Sequence, residues 1–374
     1  MKSMGMLMKA IGVLFIFLGG GVVCHVNAAE SPVLIQSALP DLVDSTRLTG
    51  PILVAGEPVP IDRQRIREGL EKELLLSLWD RAQVLLWMKR SSRIFPPIEA
   101  MLKKQGLPDD LKYVAVVESA LRPHAGSSKG AVGYWQFIRS TGLRYGLEVN
   151  SCVDDRRNLL RSTKAACAYL KKLHGQFGSW ALALAAYNMG ENGLAAAIEL
   201  QEVNDYYSLY LSQETQRYML KIAVVKMIME APETYGFVLK KLDYYPLESH
   251  DTVRFTSPGR LNLNLVAKAA HTVFKEIKDL NPELRGNFLC KRTYEIIVPR
   301  GTGNGFNKRF ESLSAKWMGK SNRTIHVVKK GENLTMIAQK YNISVLTLLQ
   351  WNKLTFKSYI HPGDVLVVGG DKKK

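Results

Sequence analysis

Pro108-Asp109-Asp110 reads as a helix start, with proline in the first turn and two acids near the positive end of the helix. Leu111, Val114, Ala115 and Glu118 follow at i, i+3, i+4 and i+7, which sets Glu118 on the apolar face of that helix. Desolvation disfavours a carboxylate, so the acid is expected to stay protonated near neutrality, the property a general acid needs to protonate a glycosidic oxygen. SSKGAVGYWQF at 127–137 adds two glycines three apart, a tyrosine, a tryptophan and Gln136. Glycines admit close backbone approach, aromatic faces stack on sugars, and an amide bonds hydroxyl or acetamido groups. WALALAAY, after Gly178-Ser179, is apolar nearly all round and predicts a central buried helix that delivers Tyr187 and Asn188 to the edge of a cleft.

These groups need a rigid frame. The 374 residues, 46% hydrophobic and 23% charged, suffice for two or three globular domains and argue against disorder or a polytopic membrane protein. Asp62 to Met88 carries Ile66, Leu70, Leu74, Leu78 and Leu85 close to one stripe and predicts a long helix, with Pro96-Pro97 as its break and a short helix on to Gly106. Helical patterning persists to about Lys240. Residues 29–60 show no sustained period and read as a linker, 61–95 as a helical extension, and 96–240 as the domain carrying the chemistry.

Lys2 and Lys9 precede an apolar run from Ile11 to Val23, too short to span a bilayer and suited to a secretory leader, 1–28, cleaved after Ala28. LGGGVVC at Cys24 loosely resembles a lipidation signal, although Val23 stands where a small residue is expected; an uncleaved N-terminus would allow membrane association. The net charge of +17 becomes +15 once the leader is removed. With no zinc-finger, helix-turn-helix or RNP signature, nucleic acid is not the expected partner; anionic lipid or wall polymer fits an exported chain better. Cys152, Cys167 and Cys290 remain, allowing one pair plus an odd thiol. Cys152 and Cys167 are placed to bridge a loop to the following helix, the alternative being two small buried side chains. No Cys/His cluster has metal-site spacing.

The last third contains a repeat at an offset of 71: Leu263/Leu334, Val266/Ile337, Ala267/Ala338, Ile277/Leu348 and Asn281/Asn352. Each copy ends in a strand-like run, 294–298 and 364–368, giving two βααβ units at about 250–300 and 325–369. Repeated small modules suit binding by avidity.

Four motifs carry a family resemblance: ES at 118–119, GxxGxWQF at 130–137, AYNMG at 186–190 and ETQRY at 214–218. Their order is similar to that of the soluble lytic transglycosylases, whose fold is the goose-type lysozyme fold, over about residues 95–235. The second repeat copy resembles a LysM domain, a binder of N-acetylglucosamine-containing glycans, with GENL at 331–334 in place of the usual GDTL. The first copy lacks this opening and looks like a degenerate LysM-like unit. The resemblance implies an α+β chain, a mainly helical lysozyme-like domain followed by LysM-type modules. It also implies cleavage of the β-1,4 bond between N-acetylmuramic acid and N-acetylglucosamine in peptidoglycan, with a 1,6-anhydro product and no cofactor or metal. A hydrolytic muramidase and a noncatalytic peptidoglycan-binding scaffold are the alternatives. Carried onto this sequence, Glu118 is the acid and base; Ser119, Gln136, Tyr187, Asn188 and Tyr218 bind substrate or orient Glu118; Gly331, Asn333, Leu334 and Asn352 contact glycan. Asp154 and Asp155 are expected in salt bridges with their arginine neighbours.

Overall fold

In the computed structural model, the described residues are 41–319, 324–356 and 358–369. The expected leader, its cleavage point and Cys24 lie outside them. The fold class is α+β, as expected. Among the described residues no helix is long and apolar enough to cross a membrane.

A short helix α1 (Leu42–Ser45) precedes a hairpin, β1 (Ile52–Val54) paired antiparallel with β2 (Glu57–Val59). This corrects the linker expected at 29–60 for residues 41–60; residues 29–40 lie outside the described ones. Strands of three residues give too little alternation to detect, yet Val54 and Val59 are buried in the main core. The hairpin is pinned at both ends: the Ala55 N–H donates to Asp110 Oδ2 at 2.8 Å. Glu57 accepts the N–H groups of Trp180 and Ala181 at 2.6 and 3.0 Å, an anion on a helix N-terminus.

Helices α2 (Gln64–Trp79), α3 (Arg81–Gln105), α4 (Lys112–Ser119), α5 (Arg139–Arg144), α6 (Leu159–Phe177), α7 (Trp180–Met189), α8 (Glu191–Gln201) and α9 (Gln213–Glu230) build the main body. The first long helix ends at Asp80, whose carboxylate then caps α3 by accepting the Gln83 N–H at 3.1 Å. Contrary to expectation, α3 runs straight through Pro96 and Pro97. Val84, Met88, Phe95, Ile98 and Leu102 form one buried stripe spanning them, and that burial outweighs a proline penalty of about 3 kcal/mol. The chain at Tyr245 packs on the same turn: its N–H donates to Lys89 O, and Ser92 Oγ donates to its carbonyl at 2.6 Å. Helix α7 is buried from Trp180 through Ala186, as its all-round apolar sequence requires. It packs between α6 and α9.

The repeat is a structural one. In the first copy β3 (His250–Ser257) pairs antiparallel with β6 (Arg292–Pro299) across α10 (Asn264–Ala269) and α11 (Phe274–Leu280), with a small pair β4 (Leu261–Asn262) and β5 (Phe288–Leu289) beside them. Helix α12 (Phe306–Gly319) lies beyond the expected boundary at 300, but Phe306 and Phe310 complete this core against Phe255. In the second copy β7 (Ile325–Val327) pairs with β8 (Val365–Val367) across α13 (Leu334–Lys340) and α14 (Val345–Asn352). Asn281 and Asn352 do the same work 71 residues apart. Each donates to a carbonyl on its helix and one on the closing strand, and accepts an N–H from that strand.

The expected Cys152–Cys167 bridge is not formed. Cys152 is bonded to Cys290, and Cys167 is a free thiol buried in α6, its pKa pushed up to about 11 by burial. Residue 167 faces the helical core, whereas Val153, next to Cys152, belongs to the core of the first repeat copy. The cysteine therefore turns toward that module.

Candidate active site

Helix α4 supplies Glu118 from its last turn, α9 supplies Tyr218, and both pack side by side. Glu118 keeps a partly accessible edge, but protein surrounds it so closely that burial raises its pKa from 4.5 to about 7. The Tyr218 hydroxyl donates to its Oε1 and Lys221 lies nearby, both favouring the ionised form, while Glu214 opposes it. These effects leave the carboxyl poised to exchange a proton near neutral pH.

The backbone beyond Glu118 is unusual. Ala120 and Leu121 both take left-handed conformations, φ 51° and 59°, and Gln136 does so at 47°. Non-glycine residues rarely adopt such conformations, and two of the three directly follow the helix that ends in Glu118-Ser119. Ser119, 3% exposed, fastens this turn by donating from Oγ to Ala115 O or Tyr134 O at 2.9 and 2.8 Å. It is thus turned inward, under Glu118.

Gln136 Nε2 donates to Ala125 O and Gly133 O at 3.1 and 2.8 Å, closing the glycine-rich turn on itself. Gly133 is obligatory: at φ 87°, an added Cβ would lie 1.9 Å from Arg156 O. Arg156 grips the turn from beneath, donating to Gly130 O and Phe137 O at 3.0 and 3.1 Å while holding both oxygens of Asp154. Burial alone would raise the Asp154 carboxyl, but the Arg156 guanidinium holds it below the usual range. Asp154 and Asp155 do form the expected salt bridges, Asp155 with Arg161 at 2.7 Å rather than an adjacent arginine. The aromatic stacking platform expected in this turn is absent: Trp135 is fully buried, its Nε1 donating to Thr163 Oγ1 at 3.0 Å, and Tyr134 is 7% exposed.

From α7, the Tyr187 hydroxyl donates to Trp135 O at 2.7 Å, and burial together with Glu118 pushes its pKa well above 10. Asn188 Oδ1 accepts from Thr215 Oγ1 at 2.8 Å, joining α7 to α9. The structure thus brings Tyr218 and Tyr187 to Glu118, while Asn188 ties α7 to α9, Gln136 closes the glycine-rich turn and Ser119 is turned inward.

Sequence reasoning missed several supports. Tyr169 packs on Tyr187 at 5.3 Å and on Tyr145 at 4.9 Å, and donates to Glu191 at 2.7 Å. Burial would raise the pKa of Glu191, but Tyr169, Lys172 and Arg144 hold it down to about 2. An acid directly after AYNMG, opening a new helix, was the available signal. Arg217 pairs with buried Glu73 and so locks α9 to α2.

In the second repeat copy, Glu332 of GENL accepts the Lys329 N–H at 2.7 Å and bonds His326 Nε2 at 2.6 Å. Asn333 Oδ1 caps α13 by accepting the Met336 N–H, and both amide atoms of Asn352 are engaged within the module. Of the four residues expected to contact glycan, Gly331, at φ 87°, and Asn333 are exposed and Leu334 is half-buried, whereas the Asn352 amide is engaged within the module.

Residues 95–209 match the transglycosylase SLT domain and residues 326–369 the LysM domain. Membrane-bound lytic murein transglycosylase D of Escherichia coli (strain K12) is 31% identical over 286 residues, 73% of this chain and 62% of that protein. The chain thus spans less than two thirds of that relative's length. Peptidoglycan transglycosylase gp16 of Escherichia phage T7 is 35% identical over 145 residues, 37% of this chain and 11% of that protein. The solved 70 kDa soluble lytic transglycosylase of Escherichia coli overlaps 47% of this chain and 32% of its own, at 15% identity and TM-score 0.34. Glu118, Gln136, Tyr187 and Asn188 all lie inside the first matched segment, and the glycine-led turn of the second repeat copy inside the other. The chain therefore carries a transglycosylase SLT domain at 95–209 and a LysM domain at 326–369.

Proposed function

We propose that this protein is a peptidoglycan lytic transglycosylase of the cell envelope, exported by its N-terminal leader and held on the wall by its LysM domain. Substrate is the glycan strand, cut between N-acetylmuramic acid and N-acetylglucosamine with formation of a 1,6-anhydromuramoyl end. The observation that carries this reading is Glu118: one carboxyl, its pKa raised by burial to about 7, at the end of a short buried helix and held by the Tyr218 hydroxyl.

Near its pKa of about 7, Glu118 protonates the leaving oxygen. The substrate's own acetamido group meets the developing positive charge. The carboxylate left behind is supported by the Tyr218 hydroxyl, and it accepts the proton of the C6 hydroxyl as that oxygen closes the ring. Tyr187 and Tyr218, both with pKa values driven well above 10, stay neutral donors throughout. Direct hydrolysis with inversion needs a second carboxyl about 6.5–9.5 Å from the first, with a water between. The two acids of the 154–155 pair are committed to arginines. Glu214 is exposed and faces Lys129 at 3.7 Å.

The first repeat copy reads as a degenerate LysM-like unit that braces the catalytic domain. The basic charge favours a wall bearing peptide carboxylates. Glu118→Gln keeps the shape of the side chain and removes the acid, so turnover of purified peptidoglycan is expected to fall by about a hundredfold or more. Near-normal turnover by the folded variant would remove Glu118 from the mechanism.

A further inference from the structure

A cavity of about 590 Å³ is bounded by α3, the chain just beyond α4, the start of α6 and the first repeat copy. Leu121 and Arg122 line it, but Glu118, Ser119, Gln136, Tyr187, Asn188 and Tyr218 do not. Its volume falls within the roughly 300–1,000 Å³ of small-ligand sites, and its position between two packed modules is where such sites concentrate. The lining combines apolar walls, Ile94 and Leu160 among them, with polar groups that the fold leaves unsatisfied.

One of those groups is a buried orphan and another is open to solvent. Tyr134, 7% exposed, lines the cavity; its hydroxyl bonds no described residue but keeps access to solvent. Glu283, 2% exposed, accepts from Asn158 Nδ2 on Oε1 at 3.1 Å, while its buried Oε2 has no partner. A buried polar atom without a partner costs about 1–3 kcal/mol, a cost that a ligand filling the space relieves. Burial also raises the pKa of Glu283, against the hydrogen bond from Asn158 and the Arg161 charge, which lower it.

Four guanidinium groups line the cavity together with the acids Glu248, Asp279, Glu283 and Glu295; Arg93 is paired with Glu248 and Arg161 with Asp155, which leaves two. Arg90 and Arg122 both line the cavity, and each bonds a backbone carbonyl instead of a carboxylate: Arg90 to Ala120 O at 2.9 Å, Arg122 to Ser119 O at 3.1 Å. Burial and the neighbouring Arg122 charge depress the pKa of Arg90, and a carboxylate placed between the two guanidiniums would offset both effects.

We propose that this cavity binds a short peptide bearing carboxylates, its acid groups on Arg90 and Arg122 and on the Tyr134 hydroxyl, its aliphatic portion along Ile94 and Leu160. The apolar walls favour a peptide over an inorganic anion. Identifying that peptide with the stem peptide of the wall rests on the proposed substrate, whereas the site itself does not.

The test is isothermal titration of the full chain with the free tetrapeptide stem of peptidoglycan, with the same peptide amidated at its carboxylates, and with inorganic phosphate. The free acid is expected to bind and the amide to bind at least tenfold more weakly. Tyr134→Phe, which deletes only an unpartnered hydroxyl, should weaken binding several-fold, and Arg90→Gln more. Should Arg90→Gln fail to fold, Tyr134→Phe alone decides. Absence of binding at millimolar peptide, equal binding of the amide, equal affinity for phosphate, or unchanged binding by folded Tyr134→Phe would each overturn the proposal. Because no glycan is cut in this experiment, its failure leaves the transglycosylase reading untouched, and loss of that reading leaves a peptide site standing.

Discussion

Glu118→Gln should make the fold more stable, and by an amount that depends on pH. The carboxyl has its pKa raised from 4.5 to about 7, chiefly by burial. A raised acid binds its proton more tightly when folded, so stability is fully present below pH 4.5, falls between 4.5 and 7, and is lowest above 7. At about 1.36 kcal/mol for each tenfold change, the full penalty is about 3 kcal/mol, and water reaching the open edge of the carboxyl reduces it toward about 1 kcal/mol. Glutamine is isosteric, retains an oxygen for the Tyr218 hydroxyl and never ionises. All other titrations are shared by the two proteins and cancel in the difference. Thermal unfolding of both from pH 4 to pH 8, followed by circular dichroism, should give near-equal midpoints at pH 4. At pH 8 the variant should melt higher by roughly 2–4 °C per kcal/mol of relieved penalty. A difference that does not change with pH, or a variant less stable at pH 8, would refute the buried, proton-poised carboxyl.

Tyr218→Phe removes a hydrogen bond that favours ionised Glu118, so the alkaline limb of the pH–rate profile should move upward, with kcat reduced about tenfold. An unmoved limb would show that the hydroxyl does not act on the carboxyl. Cys152→Ser opens a link between residues 138 apart in sequence and should destabilise by about 2–5 kcal/mol, measured as a lower unfolding midpoint. Reducing agent should lower the wild type to the same point and leave the variant unchanged. Truncation after Thr324 should leave cleavage of short soluble glycan strands intact and weaken retention on insoluble sacculi, because a bound module keeps the enzyme at high local concentration. Equal loss of both would make the LysM domain part of the fold rather than a tether.

Where local spacing determines structure, the sequence was readable. The i, i+3, i+4, i+7 pattern through Glu118 gave the carboxyl its buried face, the all-round apolar run gave the central helix, and the offset of 71 gave two βααβ units joined by equivalent asparagines. Features decided by distant partners were not readable. Nothing near Cys152 points to Cys290, 138 residues on. The double proline looks like a break until Phe95, Ile98 and Leu102 are seen buried on one face. The three-residue strands at 52–59 owe their existence to Asp110 and to the N-terminus of α7, both far along the chain. Trp135 has the type and place of a sugar platform, and only packing against Thr163 shows it to be core.

The measurement closest to the proposed chemistry is mass spectrometry of sacculi digested by the purified full-length protein. Ring closure by the C6 hydroxyl, with Glu118 passing its proton out and back, predicts muropeptides ending in 1,6-anhydromuramic acid, about 18 Da lighter than hydrolytic products, and their disappearance with Glu118→Gln. Muropeptides with reducing ends would contradict it and make the protein a hydrolase, and an undigested wall with the protein still bound would make it a scaffold.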